Sequence, residues 1–145
     1  MLATELYGSS WFDITPRSRF ITLITAVEAL LEPEKKAEAA IQLIDAFMST
    51  IEQSTLDTGL KNSLRGSVER LRYQSIGQAG RMLAERLLST TTFDGKPAGP
   101  FFSHCYNVRS TIVHDGMIPS SIDIDQLVTQ TEEFVSKLLI ASLDG

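Results

Sequence analysis

The stretch TPRSRFITLITAVEALLEP, residues 15–33, decides the fold class. Its apolar residues Phe20, Leu23, Ile24, Val27, Leu30 and Leu31 recur three and four positions apart, the spacing of one face of an α-helix. Both ends carry stop and start signals. Thr15 offers a side-chain oxygen to the first free N–H groups, and Pro16 suits the first helical position. Pro33 follows the apolar run and marks its end.

The same period continues outward along the chain. Ala40, Leu43, Ile44, Phe47 and Ile51 form a second stripe, and Leu64, Val68 and Leu71 a weaker third. Ile76, Ala79, Leu83 and Leu87 form a fourth, interrupted by Gly77 and Gly80. Each glycine lowers helix propensity by about 1 kcal/mol relative to alanine, but small residues there let another helix approach closely. STTTFDGKPAGP, residues 89–100, reads as the plainest loop. Phe101, Cys105, Val108 and Ile112 resume the helical spacing, with Gly116 as a left-handed cap and Pro119 as a stop. Asp123 can cap a last helix carrying Leu127, Phe134, Val135, Leu138 and Leu139. Upstream, ATELYGSSWF adds a short helix anchored by Tyr7, Trp11 and Phe12. No strand pattern and no hairpin signal stands out. The expectation is an all-α fold, a compact antiparallel bundle of about six helices forming a single domain over residues 1–145.

Composition narrows the function. A chain of 145 residues suits one domain and can bury a core without covalent staples. The formal charge of −5 disfavours non-specific nucleic-acid binding, which depends on neutralising phosphates. The segment from Lys61 to Arg86 runs the other way, with six bases against Glu69 and Glu85. It reads either as a local basic surface or, more simply, as the solvated faces of two helices. Cys105 is the only cysteine, so no internal disulfide can form, which fits a cytoplasmic location. It falls on an apolar stripe and reads as a small core residue. The first residues lack a signal-peptide pattern, and no run of about 18 apolar residues predicts a membrane span.

Several chemistries drop out. There is no Gly-rich phosphate loop, no HExxH and no paired-cysteine zinc pattern. His104 and Cys105 are adjacent and point to different helix faces, so neither a metal nor another cofactor is expected. Arg109 and His114, in YNVRSTIVHDG, are better placed for chemistry. A histidine can move a proton near neutral pH, and an arginine can hold a phosphate and stabilise transition-state charge. That pair suits cleavage of RNA by its own 2′-hydroxyl without a metal. Five positions on a regular helix are about 140° apart. The two side chains therefore meet only if the last turn loosens near Asp115–Gly116, or across a two-fold dimer.

The run RSTIVHDG, with SRFITLITAVEALL and LRYQSIGQAGRML upstream, resembles the Apea-like branch of the HEPN superfamily over nearly the whole chain. Members carry an Arg, four to six residues, then a His, and commonly act as metal-independent endoribonucleases. The resemblance implies catalytic Arg109 and His114, with Ser110 assisting and Asn107 and Tyr106 lining the same cleft. It makes Glu28 a partner for a buried arginine. It also implies a homodimer, RNA as substrate, no membrane partner, and a further domain or protein partner, because such domains often end longer chains. Ser110 stands where nuclease members often carry Asn, Asp or His. Gly116 stands where the nucleotidyltransferase-paired branch carries Tyr, which argues against modification by that kind of partner. Two other readings stay open: a noncatalytic interaction, nucleotide- or RNA-binding module of a defence or stress system, and a structural role in which Arg109 pairs with an acid and His114 closes a helix.

Overall fold

Thr15 opens its helix by a reciprocal bond. Its hydroxyl accepts from the Ser18 N–H at 3.1 Å, while the Thr15 N–H donates to Ser18 Oγ, with Pro16 in the first turn. A computed structural model of the chain describes residues 1–144, and the helix begun at Thr15 runs Pro16–Glu28. The described residues hold seven α-helices: α1 (Leu2–Ser9), α2 (Pro16–Glu28), α3 (Glu38–Gln53), α4 (Thr58–Arg70), α5 (Ile76–Leu87), α6 (Ala98–Asp115) and α7 (Ile124–Leu143). The all-α reading therefore holds, with the short opening helix present as α1.

The chain divides into two compact units. One comprises Met1–Leu31 and the chain from Ile76 onward; the other is Glu32–Ser75. In the first, α7 packs along α2, α6 along α5, and α1 against α2. Phe20, Phe93, Phe101, Phe102 and Phe134 are the largest side chains in its core. Phe134 of α7 meets Phe93 edge-on at 5.2 Å. Gly80 is what lets α5 approach α6, because a Cβ there would lie 2.1 Å from Phe102 Cε1. The second unit is the α3–α4 hairpin. Its ends are closed by backbone bonds from Lys36 N–H to the Arg72 carbonyl and from Gln74 N–H to the Glu34 carbonyl.

Three expectations change. The loop 89–100 contains a minimal antiparallel hairpin, β1 (Thr92–Phe93) and β2 (Lys96–Pro97), and α6 already begins at Ala98. Its turn is Asp94–Gly95 with φ of 48° and 71°, the type I′ geometry that Asp-Gly favours. The α3 stripe is largely exposed: Ile44 is buried, whereas Leu43 and Phe47 face solvent. The aromatic anchor near the N-terminus is partial, since Tyr7 packs on the core but Phe12 is 87% exposed. No described helix is long and apolar enough to cross a membrane.

Candidate functional site

Helix α6 sets the site. Phe101, Phe102, Cys105, Val108 and Ile112 are all buried, and this fixes the rotation of the helix about its axis. Arg109 then falls at the edge of the core. Its Nη2 lies 3.5 Å from Glu28 Oε2 at the end of α2, with the two side chains 24% and 21% exposed. Its Nε is buried and has no partner among the described residues. Arg109 is therefore loosely held by one carboxylate, and the exposed part of its side chain can meet a second anion.

His114 lies in the last turn and is exposed. The last turn does not loosen. The Gly116 N–H still donates to the Ile112 carbonyl at 3.0 Å, and Gly116 then leaves the helix at φ 72°. On this regular helix Arg109 and His114 remain about 140° apart. Of the two ways they could meet, distortion of the helix end is removed.

The other expected site residues separate in the same way. Asn107, Ser110 and His114 share one polar stripe, at offsets of three and seven residues. The Asn107 backbone carbonyl accepts from Thr111 Oγ1 at 3.2 Å, and Asn107 itself is exposed. Tyr106 lies on the Arg109 side and stacks on Phe102, with ring centroids 5.8 Å apart. It is part of the packed edge of the core and not of the exposed stripe.

Two arginines of α2 brace this region and were not singled out by the sequence as such. Arg17 Nη1 donates to the Gly116 carbonyl at 3.2 Å, so it satisfies an end group of α6. Arg19 donates to Glu132 of α7 at 2.6 Å and sits 4.2 Å above the Trp11 ring. Half of the six bases in the basic run pair with acids. Arg65 pairs with Glu52, Arg72 with Asp45 and Glu69, and Arg81 with Glu85. Among the described residues no three His, Cys, Asp or Glu side chains gather around a metal-sized space. Cys105 is buried, with Sγ 3.6 Å from Thr131 Oγ1, and burial pushes its thiol up to about 12, so it is no nucleophile at neutral pH.

No family model, curated protein or solved structure matches this chain.

Proposed function

We propose that the chain is a metal-independent endoribonuclease resembling the Apea-like HEPN domains and working as a homodimer on RNA. The observation that carries this is the Arg109 guanidinium, half-buried at the edge of α6 with one long bond to Glu28 and a partnerless Nε. In the proposed reaction the 2′-oxygen of a ribose attacks the adjacent phosphorus and loses its proton to an imidazole. The bond from phosphorus to the 5′-oxygen breaks, and that oxygen takes a proton from water. The products are a 2′,3′-cyclic phosphate and a 5′-hydroxyl. Arg109 holds the phosphate and neutralises the charge that builds on its oxygens. His114 moves the proton. Ser110 and Asn107 supply hydrogen bonds along the exposed stripe.

A second copy is needed because one straight helix keeps the pair apart. Exposed apolar side chains support a face for it: Ile14 is 98% exposed and Met117 69%, on either side of the Arg17–Gly116 bond that joins α2 to the end of α6. Burying such residues between copies is favourable at about 25 cal/mol per Å².

The Arg109–Glu28 pair is the observation that favours a second reading, a noncatalytic interaction, nucleotide- or RNA-binding module in which the pair is only structural. One assay separates them. Purified protein is incubated with single-stranded RNA in excess chelator, alongside His114→Ala and Arg109→Ala. The nuclease reading expects cleavage ending in cyclic phosphate, slowed about 10²- to 10⁴-fold by loss of His114. Folded, dimeric protein that leaves RNA intact would establish the noncatalytic module, and activity abolished by chelator would sink the mechanism.

A further inference from the structure

A second polar site lies on α6, three turns before His114. Here the tip of the β-hairpin, α6 and the start of α7 enclose a half-open cavity of about 280 Å³. Asp94 and Lys96 stand side by side at its wall, Oδ2 to Nζ 3.5 Å, both partly exposed. His104 lines the same space and is partly buried. Leu127 supplies an apolar surface within it.

Asp94 is unusually well positioned for a turn residue. It adopts φ 48°, in the left-handed region that aspartate and asparagine enter more readily than other side chains with a Cβ. Two glutamines of α7 hold it there. The Asp94 N–H donates to Gln130 Oε1 at 3.2 Å, and Gln126 Nε2 donates to Asp94 Oδ1 at 3.4 Å. The carboxylate is thus fixed in direction, while the ammonium beside it is only loosely attached. A fixed acceptor next to a movable donor, beside an imidazole and an apolar wall, matches a flat ring whose edge carries donors next to an acceptor.

We propose that this cavity is a guanine-recognition site. The Asp94 carboxylate accepts from guanine N1–H and the 2-amino group, and Lys96 turns to donate to O6. The ring lies against Leu127 and the His104 imidazole. Guanine is the one common base that offers two donors beside an acceptor on its pairing edge. Adenine and cytosine place a ring-nitrogen acceptor where the carboxylate would need a donor. Uracil has a single donor between two acceptors. At about 280 Å³ the cavity lies just below the usual ligand range of about 300–1,000 Å³, a size that suits a single base.

The source of the guanine is either RNA or a free nucleotide. RNA is the source expected here, which rests on the ribonuclease reading. His104 and His114 are ten residues apart on one helix, about 15 Å along its axis, with Asn107 and Thr111 between them on the exposed side. A short oligonucleotide with its scissile phosphate at the motif reaches the cavity along that stripe.

The test uses the full chain carrying His114→Ala, so that binding is read without cleavage. Its affinity is measured for uridine hexanucleotides holding a single guanosine or adenosine, and for guanosine and adenosine 5′-monophosphate. At least a tenfold preference for the guanosine forms is expected. Asp94→Asn keeps the turn, because asparagine also tolerates positive φ. It places an amide donor beside an acceptor, the pairing that suits adenine, so the preference should fall tenfold and move toward adenosine. Lys96→Gln, at a partly exposed position, should lower affinity for the guanosine forms more than for hexauridine. Equal affinity for guanosine and adenosine forms overturns the site, even if the native protein cleaves RNA. Binding of guanosine monophosphate that depends on Asp94, in a protein that neither binds nor cuts RNA, sustains the cavity and removes the ribonuclease reading.

Discussion

The Cys105 thiol shows how strongly burial at one position couples to pH. It lies buried in α6 with Sγ 3.6 Å from Thr131 Oγ1, and desolvation lifts its pKa from 9.0 to about 12, against the opposing effect of the Thr131 hydrogen bond. The folded chain keeps the proton until about pH 12, whereas the unfolded chain releases it near pH 9. The associated stability is complete below pH 9 and is lost as pH rises from there toward 12, by up to about 1.4 kcal/mol per unit. Melting temperature should therefore fall more steeply between pH 9 and 10.5 in the native protein than in Cys105→Ala. The folded thiol should also resist an aromatic disulfide reagent at pH 8 until denaturant is added. Parallel pH curves for the two proteins would show that the thiol does not ionise on unfolding. This core role was legible in the sequence, because Cys105 shares its helical spacing with Phe101, Val108 and Ile112. The tie between Arg17 and the Gly116 carbonyl was not, since nothing local connects residues 99 positions apart.

Between elements, the approach of α5 to α6 depends on Gly80. A methyl group there would meet the ring of Phe102, which is wholly buried and has no space to retreat. Gly80→Ala should destabilise by about 1–3 kcal/mol or more, read as a lower denaturation midpoint at unchanged slope. Gly66 in α4 gives the contrast. Nothing lies within 4 Å of a Cβ there, so Gly66→Ala should gain about 0.5–1 kcal/mol from helix propensity alone. Gly80 illustrates why much of the fold could be read from sequence. Thr15–Pro16, Asp123 and Gly116 mark helix ends through local chemistry, and each does so in the structure. The Asp94–Gly95 hairpin carried a turn signal, but strands of two residues are too short to display alternation. The exposed Leu43 and Phe47 mark a different limit. A stripe at helical spacing reports that a helix has two faces and says nothing of what covers the apolar one.

At the scale of the assembled molecule, the regular end of α6 makes a geometric demand on the proposed nuclease. Arg109 and His114 face about 140° apart, so an active centre must combine Arg109 of one copy with His114 of another. A two-fold axis then creates two equivalent centres per dimer. Arg109→Ala and His114→Ala should each be inactive alone. In a mixed dimer, one of the two centres receives the intact arginine from the His114→Ala chain and the intact histidine from the Arg109→Ala chain. Equal amounts, unfolded together and refolded to allow random pairing, give half mixed dimers, each with one working centre. Cleavage should return to roughly a quarter of the native rate, with the oligomeric state checked by sedimentation. A pair acting within one chain would stay inactive in every mixture, because no chain then carries both groups. Restored cleavage would assign the centre to the interface, and its absence with dimers present would exclude a centre shared between two copies.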